Sequence, residues 1–147
     1  MRGSEPIEGA LVAAFGSIFM ALAWSDLERR VIPNRLVYPA LALALAVSGL
    51  WPDRGLTDAL AGGVSAFVAS AAIRCLGGGG LGGGDVKMAA LVGTVVGGET
   101  IMLAGIATVF AGGLAAAATL ADPQGRGTTS LAYGPFIAFG AVVALLA

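Results

Sequence analysis

The sequence predicts an all-α membrane protein, a polytopic bundle of about six transmembrane helices. Hydrophobic residues make up 57% of its 147 residues and charged residues only 12%, about half the charged fraction of a typical soluble domain. The mean hydropathy is +0.89, and the apolar residues form long runs separated by short polar breaks. Because so few polar side chains cannot cover a water-exposed globule, the lipid bilayer is the expected solvent and partner.

The apolar runs define the predicted spans in chain order. A helix needs roughly 20 residues to cross a bilayer, and the fourth run is only about half that length, which predicts a tilted or partly re-entrant helix. The first run lacks a strongly basic start and a good cleavage site, so it is expected to be retained rather than removed as a signal peptide. The runs are Ile7–Trp24, Leu36–Trp51, Leu56–Cys75, Met88–Gly98, Thr100–Leu120 and Leu131–Ala147, within a single membrane-embedded domain, 1–147.

Composition also excludes several function classes. The chain has no His and one Cys, Cys75, which excludes an internal disulfide and a zinc site built from several Cys and His ligands. The eight basic residues are scattered and the net charge is -1, so no nucleic-acid-binding stripe exists. No metal or cofactor is expected. The 24 glycines predict helices that pack closely on small residues.

Lys and Arg residues predict the orientation of the bundle. The breaks after the first, third and fifth spans carry six of the eight basic residues. Because loops rich in Lys and Arg remain in the cytoplasm, this side is expected to be cytoplasmic. Two spans separate Asp26 from Asp85, which places both acids on this face. The six residues are Arg29, Arg30, Arg35, Arg74, Lys87 and Arg126, and the other two are Arg2 and Arg54.

Asp26 and Asp85 are the candidate catalytic residues. Ionisable groups at the hydrocarbon boundary are costly and point to function. Asp26 precedes a turn predicted at Ile32-Pro33-Asn34, and Asp85 follows the glycines that end at Gly84, which allow close approach of another chain. Two nearby carboxyl groups can divide the work of peptide hydrolysis, because one remains an anion while the other holds a proton.

The same residues also allow plainer roles. Asp26 can pair with Arg29 or Arg30 at the headgroups, Asp85 can cap a helix, and the glycine tract can be a linker. Lys87 does not face Asp85 on a helix, and extension of its side chain to the headgroups is the favoured role. These roles leave unexplained why both acids mark helix ends on one face.

At these positions the sequence resembles the type IV prepilin peptidase family of membrane aspartic proteases. Gly82-Gly83-Gly84-Asp85, followed by Val86-Lys87, is similar to the Gly-x-Gly-Asp motif of that family. Asp26 with Ile32-Pro33-Asn34 is similar to its first aspartate motif, and Tyr133-Gly134-Pro135-Phe136 resembles a segment near the last span. The resemblance covers nearly the whole chain.

The resemblance implies an aspartic endopeptidase that removes the short leader of prepilin-like precursors at the cytoplasmic face of the cell membrane. It assigns Asp26 and Asp85 as catalytic. It assigns Gly82, Gly84 and Lys87, the basic residue after the motif, as substrate-binding or motif-shaping. Longer family members add paired Cys-x-x-Cys motifs and N-methylate their product. The single Cys therefore predicts a short form without methyltransferase activity, like the peptidases of tight-adherence pilus systems.

Three alternatives remain open from sequence. Archaeal preflagellin peptidases share the same core. A small proton or cation transporter would also place acids within membrane helices, although the chain shows no internal repeat. A structural assembly subunit would require neither carboxylate.

Overall fold

The computed structural model describes residues 5–51, 54–77, 81–120 and 132–147. Within these residues the secondary structure is helical without any strand, which confirms the predicted all-α class. Three of the helices contain stretches long and apolar enough to cross a membrane, namely α1, α3 and α4. The helices are α1 (Glu5–Arg29), α2 (Asn34–Val47), α3 (Leu56–Leu76), α4 (Gly83–Leu120) and α5 (Gly134–Leu146), and the 3-10 turn Ser48–Leu50 extends α2.

Helix α4 folds back on itself at Gly97, whose φ of 82° and ψ of 170° are not helical. A straight helix from Asp85 to Gly112 would extend roughly 40 Å. Gly112 instead packs against Tyr133, beside the start of α5. The start of α5 contacts Asp26, which lines the same cavity as Asp85. The chain therefore returns to the end of the bundle at which α4 begins. The two parts of α4 on either side of Gly97 thus correspond to the predicted fourth and fifth spans. The first arm of α4 is 83–96 and the second arm is 98–120.

Polar contacts from Arg54, just before α3, and from Asp58, in the first turn of α3, hold this turn. The Arg54 Nη1 donates to the carbonyl oxygen of Val95 at 3.1 Å, and the N–H of Gly98 donates to Asp58 Oδ1 at 2.9 Å. These bonds satisfy a carbonyl at the end of the first arm and an N–H at the start of the second. The sequence placed the break at Glu99, two residues too late. It lies at Gly97 because glycine adopts a positive φ without steric cost.

Glycines bring the helices into close contact. Gly62 of α3 lies against Gly93 of α4, and a Cβ on either residue would overlap the carbonyl oxygen of the other. A Cβ on Gly140 of α5 would likewise overlap the Ala104 carbonyl oxygen in the second arm of α4. This packing confirms the role expected from the glycine content.

The buried core is apolar and joins α1, α2, α4 and α5, whereas many large apolar side chains are exposed. Phe67 of α3 and Phe110 of α4 are 48% and 74% exposed. In a bilayer these side chains contact lipid tails, so their exposure carries no penalty. The core includes Phe15, Phe19, Leu22, Val37, Met88, Leu91, Val95 and Ala141.

The end of α1 differs from the sequence expectation. The first span was expected to end before Asp26, but the helix continues through this residue to Arg29. Arg30 then leaves the helix with a φ of 51°, and its N–H donates to the Asp26 carbonyl oxygen at 2.8 Å. Pro33, with a φ of -72° and a ψ of 121°, provides the predicted turn into α2. Asp26 is therefore fixed in the last turns of a helix.

Candidate active site

Asp26 lies on α1 and is only 5% exposed. Its Oδ2 accepts a hydrogen bond from the N–H of Gly134 at 2.9 Å. Gly134 is the first residue of α5, where backbone N–H groups lack partners within the helix and the helix dipole favours a negative charge. The fit is tight, since a Cβ on Gly134 would lie 2.6 Å from Asp26 Oδ2. The start of α5 therefore positions the Asp26 carboxylate.

Asp85 lies in the first turn of α4 and is 9% exposed. Its Oδ2 accepts a hydrogen bond at 2.9 Å from the N–H of Gly82, the residue preceding the helix. The contact is the backward half of a capping box, in which the third helical residue bonds the backbone N–H at the cap. Asp85 thus stabilises the helix start with one oxygen, and a carboxylate has a second oxygen available for other contacts.

The two aspartates line one cavity of about 220 Å³. A water molecule occupies roughly 30 Å³ in the liquid, so the cavity has room for water between groups from both motifs. Its walls come from the end of α1, the turn before α2 and the start of α4. The lining residues are Asp26, Arg30, Val31, Ile32, Asn34, Gly82, Gly83, Gly84, Asp85 and Lys87.

Gly84 allows the two motifs to meet. A Cβ on Gly84 would lie 2.9 Å from the Cβ of Ile32, which is 7% exposed and belongs to the core. A larger residue at position 84 would push the start of α4 away from the turn that follows Asp26. The contact gives a physical reason for glycine at this position of the motif.

Two basic side chains form hydrogen bonds around the start of α4. The Arg74 Nη1, from the last turn of α3, donates to the Leu81 carbonyl oxygen at 2.9 Å. The Lys87 Nζ donates to Asn34 Oδ1 at 3.0 Å and lies 5.4 Å from the centre of the Tyr38 ring. These bonds connect the start of α4 to both α3 and α2.

The structure therefore brings all five sequence-predicted site residues to one end of the bundle. Four of them flank or carry the Asp85 motif, and Asp26 faces them from α1. Sequence reasoning assigned no contact to Gly134 or to Asn34, although both stand in the quoted motifs. Within the described residues no three His, Cys, Asp or Glu side chains gather as a metal site would require. The five predicted site residues are Asp26, Gly82, Gly84, Asp85 and Lys87.

Comparisons with known proteins show the family of the chain. Residues 13–117 match the model of the type IV leader peptidase family. The chain is 34% identical to the prepilin leader peptidase/N-methyltransferase of Bacillus subtilis (strain 168), over 90% of this chain and 53% of that protein. It is 28% identical to the protein of the same name from Stutzerimonas stutzeri, over 86% of this chain and 46% of the relative.

A third relative, the prepilin leader peptidase/N-methyltransferase of Escherichia coli (strain K12), is 30% identical over 95% of this chain and 63% of its own length. The chain thus spans about half the length of these curated relatives. No solved structure matches the chain.

Proposed function

The chain belongs to the type IV leader peptidase family, and we propose that it is an intramembrane aspartic endopeptidase that removes the leader peptide of a prepilin-like membrane precursor. The observation that carries the proposal is the shared cavity, to which α1 contributes Asp26 and α4 contributes Asp85. The proposal is limited to peptide cleavage, and it treats residues 1–147 as a single peptidase domain.

The geometry supports a water-attack mechanism. Backbone N–H groups hold one oxygen of each carboxyl group, through Gly134 for Asp26 and Gly82 for Asp85. The remaining oxygens can then serve a bound water and the scissile peptide. One carboxylate accepts a proton as water attacks the carbonyl carbon, and the protonated carboxyl group gives a proton to the leaving amine. Both roles need fixed carboxyl groups, which the two backbone hydrogen bonds supply.

We further propose that the site faces the cytoplasm. Among the described basic residues, five lie at the end of the bundle that carries the cavity, and Arg54 lies at the opposite end beside Gly97. Because basic residues favour the cytoplasmic side, this distribution supports a cytoplasmic active site. Arg2 and Arg126, which entered the sequence count, lie outside the described residues. The five are Arg29, Arg30, Arg35, Arg74 and Lys87.

Cleavage of a precursor in water enriched in oxygen-18 tests the proposed reaction. The purified protein in detergent should cut a prepilin once, between its leader and its hydrophobic helix. Mass spectrometry should find one oxygen-18 atom in the new carboxyl terminus of the leader, because water supplies that oxygen. A preflagellin precursor tested in parallel distinguishes the two substrate classes. Failure to cut either precursor, together with proton or cation flux in liposomes without a precursor, would support a transporter instead.

Thiol labelling tests the proposed orientation. Cys75 is exposed near the end of α3, at the end of the bundle that carries the cavity, and is a native reporter for that face. A membrane-impermeant thiol reagent should label it in inverted vesicles and not in intact cells. The matched control combines Cys75→Ser with Leu50→Cys. It moves the thiol to an exposed position in the 3-10 turn after α2, at the end of the bundle opposite the cavity. This variant should show the opposite pattern, and labelling of Cys75 in intact cells would contradict the orientation.

A further inference from the structure

A polar contact joins the two aspartate motifs through Lys87. Its ammonium donates to Asn34 Oδ1 at 3.0 Å and lies over the ring of Tyr38, 5.4 Å from the ring centre. Asn34 is the first residue of α2, and Lys87 lies in the first turns of α4. An ammonium group bonds more strongly than a neutral donor, and its attraction to an aromatic face adds to this contact.

Asp85 lies between two residues that contact the chain segment following Asp26. Just before Asp85, Gly84 packs on Ile32, and just after it Lys87 bonds to Asn34. Ile32 lies in the turn that leads from α1 into α2, and Asn34 is the first residue of α2. The apolar contact sets how closely α4 approaches this turn. The hydrogen bond from Lys87 to Asn34 is directional, so it also restricts sliding and rotation of α4 against α2. An apolar contact allows such movements more freely.

The position of the Lys87 charge favours a geometric role over neutralisation of a catalytic acid. Residues two apart on a helix do not face each other, so the helix itself does not pair Lys87 with Asp85, although both side chains line the cavity. Within the described part of the chain, its hydrogen-bond acceptor is a neutral amide and not a carboxylate. Lys87 is only half-buried, which leaves its ammonium at the wall of the cavity.

We propose that Lys87 is a positioning residue, which acts through Asn34 and Tyr38 to fix Asp85 relative to the chain segment that follows Asp26. The inference rests on the proposed peptidase function. It assigns Asn34 and Tyr38 to the same unit, so loss of any one member should misplace the Asp85 carboxyl group.

Steady-state cleavage kinetics of Lys87→Met, Asn34→Leu and the double variant test the proposal. Each single change should lower kcat roughly ten- to one-hundredfold, the range expected when a catalytic group shifts by up to about 1 Å, and should leave KM within about twofold. The double variant should be no slower than the slower single variant, because both changes break the same contact. Lys87→Arg, which keeps a donor, and Asn34→Asp, which keeps an oxygen acceptor, should recover most of the rate.

Two controls separate this result from loss of folding or of charge. Arg35→Met removes an exposed positive charge beside Asn34 and should keep full activity. Tyr38→Phe keeps the ring and should also be active, whereas Tyr38→Leu should resemble Lys87→Met. Thermal melting in detergent, measured for every variant, shows whether each one is folded. Full activity of Lys87→Met, losses that multiply in the double variant, or a rise in KM alone would overturn the inference. Absence of cleavage by the unaltered protein would instead reject the proposed function.

Discussion

Replacing Asp26 or Asp85 with alanine is expected to lower kcat/KM for precursor cleavage by roughly 10²–10⁴-fold, the range contributed by positioned acid and base groups. Both carboxyl groups line the cavity, and each is held by a backbone N–H. Loss of either would leave the reaction without a base for the water or an acid for the leaving amine. The measurement is precursor cleavage in detergent with equal amounts of folded protein.

Asp58→Asn is the matched control for this prediction. Asp58 is also an acid within the bundle, but it bonds to Gly98 at the end opposite the cavity. Asparagine removes its charge and keeps an oxygen acceptor for that bond. Cleavage should therefore remain within about twofold of the unaltered protein. Equal losses from Asp58→Asn and the two alanine variants would show that the assay reports general damage to the bundle and not removal of a catalytic pair.

Gly134→Ala is expected to reduce cleavage roughly ten- to one-hundredfold. The added Cβ would lie 2.6 Å from Asp26 Oδ2 and 2.9 Å from Asp26 Cβ, so the carboxylate must move away from the N–H that now holds it. Alanine is a good helix former, and position 134 is helical, so the backbone itself tolerates the change. The reduction should appear in kcat, which is measured at a saturating concentration of precursor. Most of the Gly134→Ala protein should still be folded.

The control for the α5 contact is Gly113→Ala. Gly113 lies in the second arm of α4, and a Cβ there meets nothing within 4 Å. This variant should cleave at the normal rate. Normal activity of Gly134→Ala would contradict the account in which the start of α5 positions Asp26.

Much of the fold was predictable because a membrane span is a local property of sequence. Each apolar run had to form a helix, since a bilayer offers no water to satisfy backbone groups. The glycines predicted close packing, and the contact between Gly62 and Gly93 confirms it. The run from Met88 to Gly98 was short for a span, and the structure shows why: it is most of the first arm of a helix that folds back at Gly97.

The contacts that position the acids were not predictable from local pattern. The partner of Asp26 is a backbone N–H at Gly134, and any residue except proline offers such a donor. The bond from Lys87 to Asn34 depends on how two helix starts meet, whereas the sequence favoured extension of Lys87 toward the headgroups. The exact break in α4 depends on Asp58, which lies on another helix. Each of these features requires the folded bundle.

The cleavage rates of Asp26→Asn, Asp85→Asn and the double variant test the central claim most directly. Asparagine keeps the size of each side chain and removes its ability to exchange a proton. If the two carboxyl groups form one catalytic unit, each single change should remove nearly all cleavage in single-turnover experiments. The double variant should then be no more than about tenfold slower than the slower single variant. Single variants that keep substantial activity, with losses that multiply in the double variant, would contradict the claim.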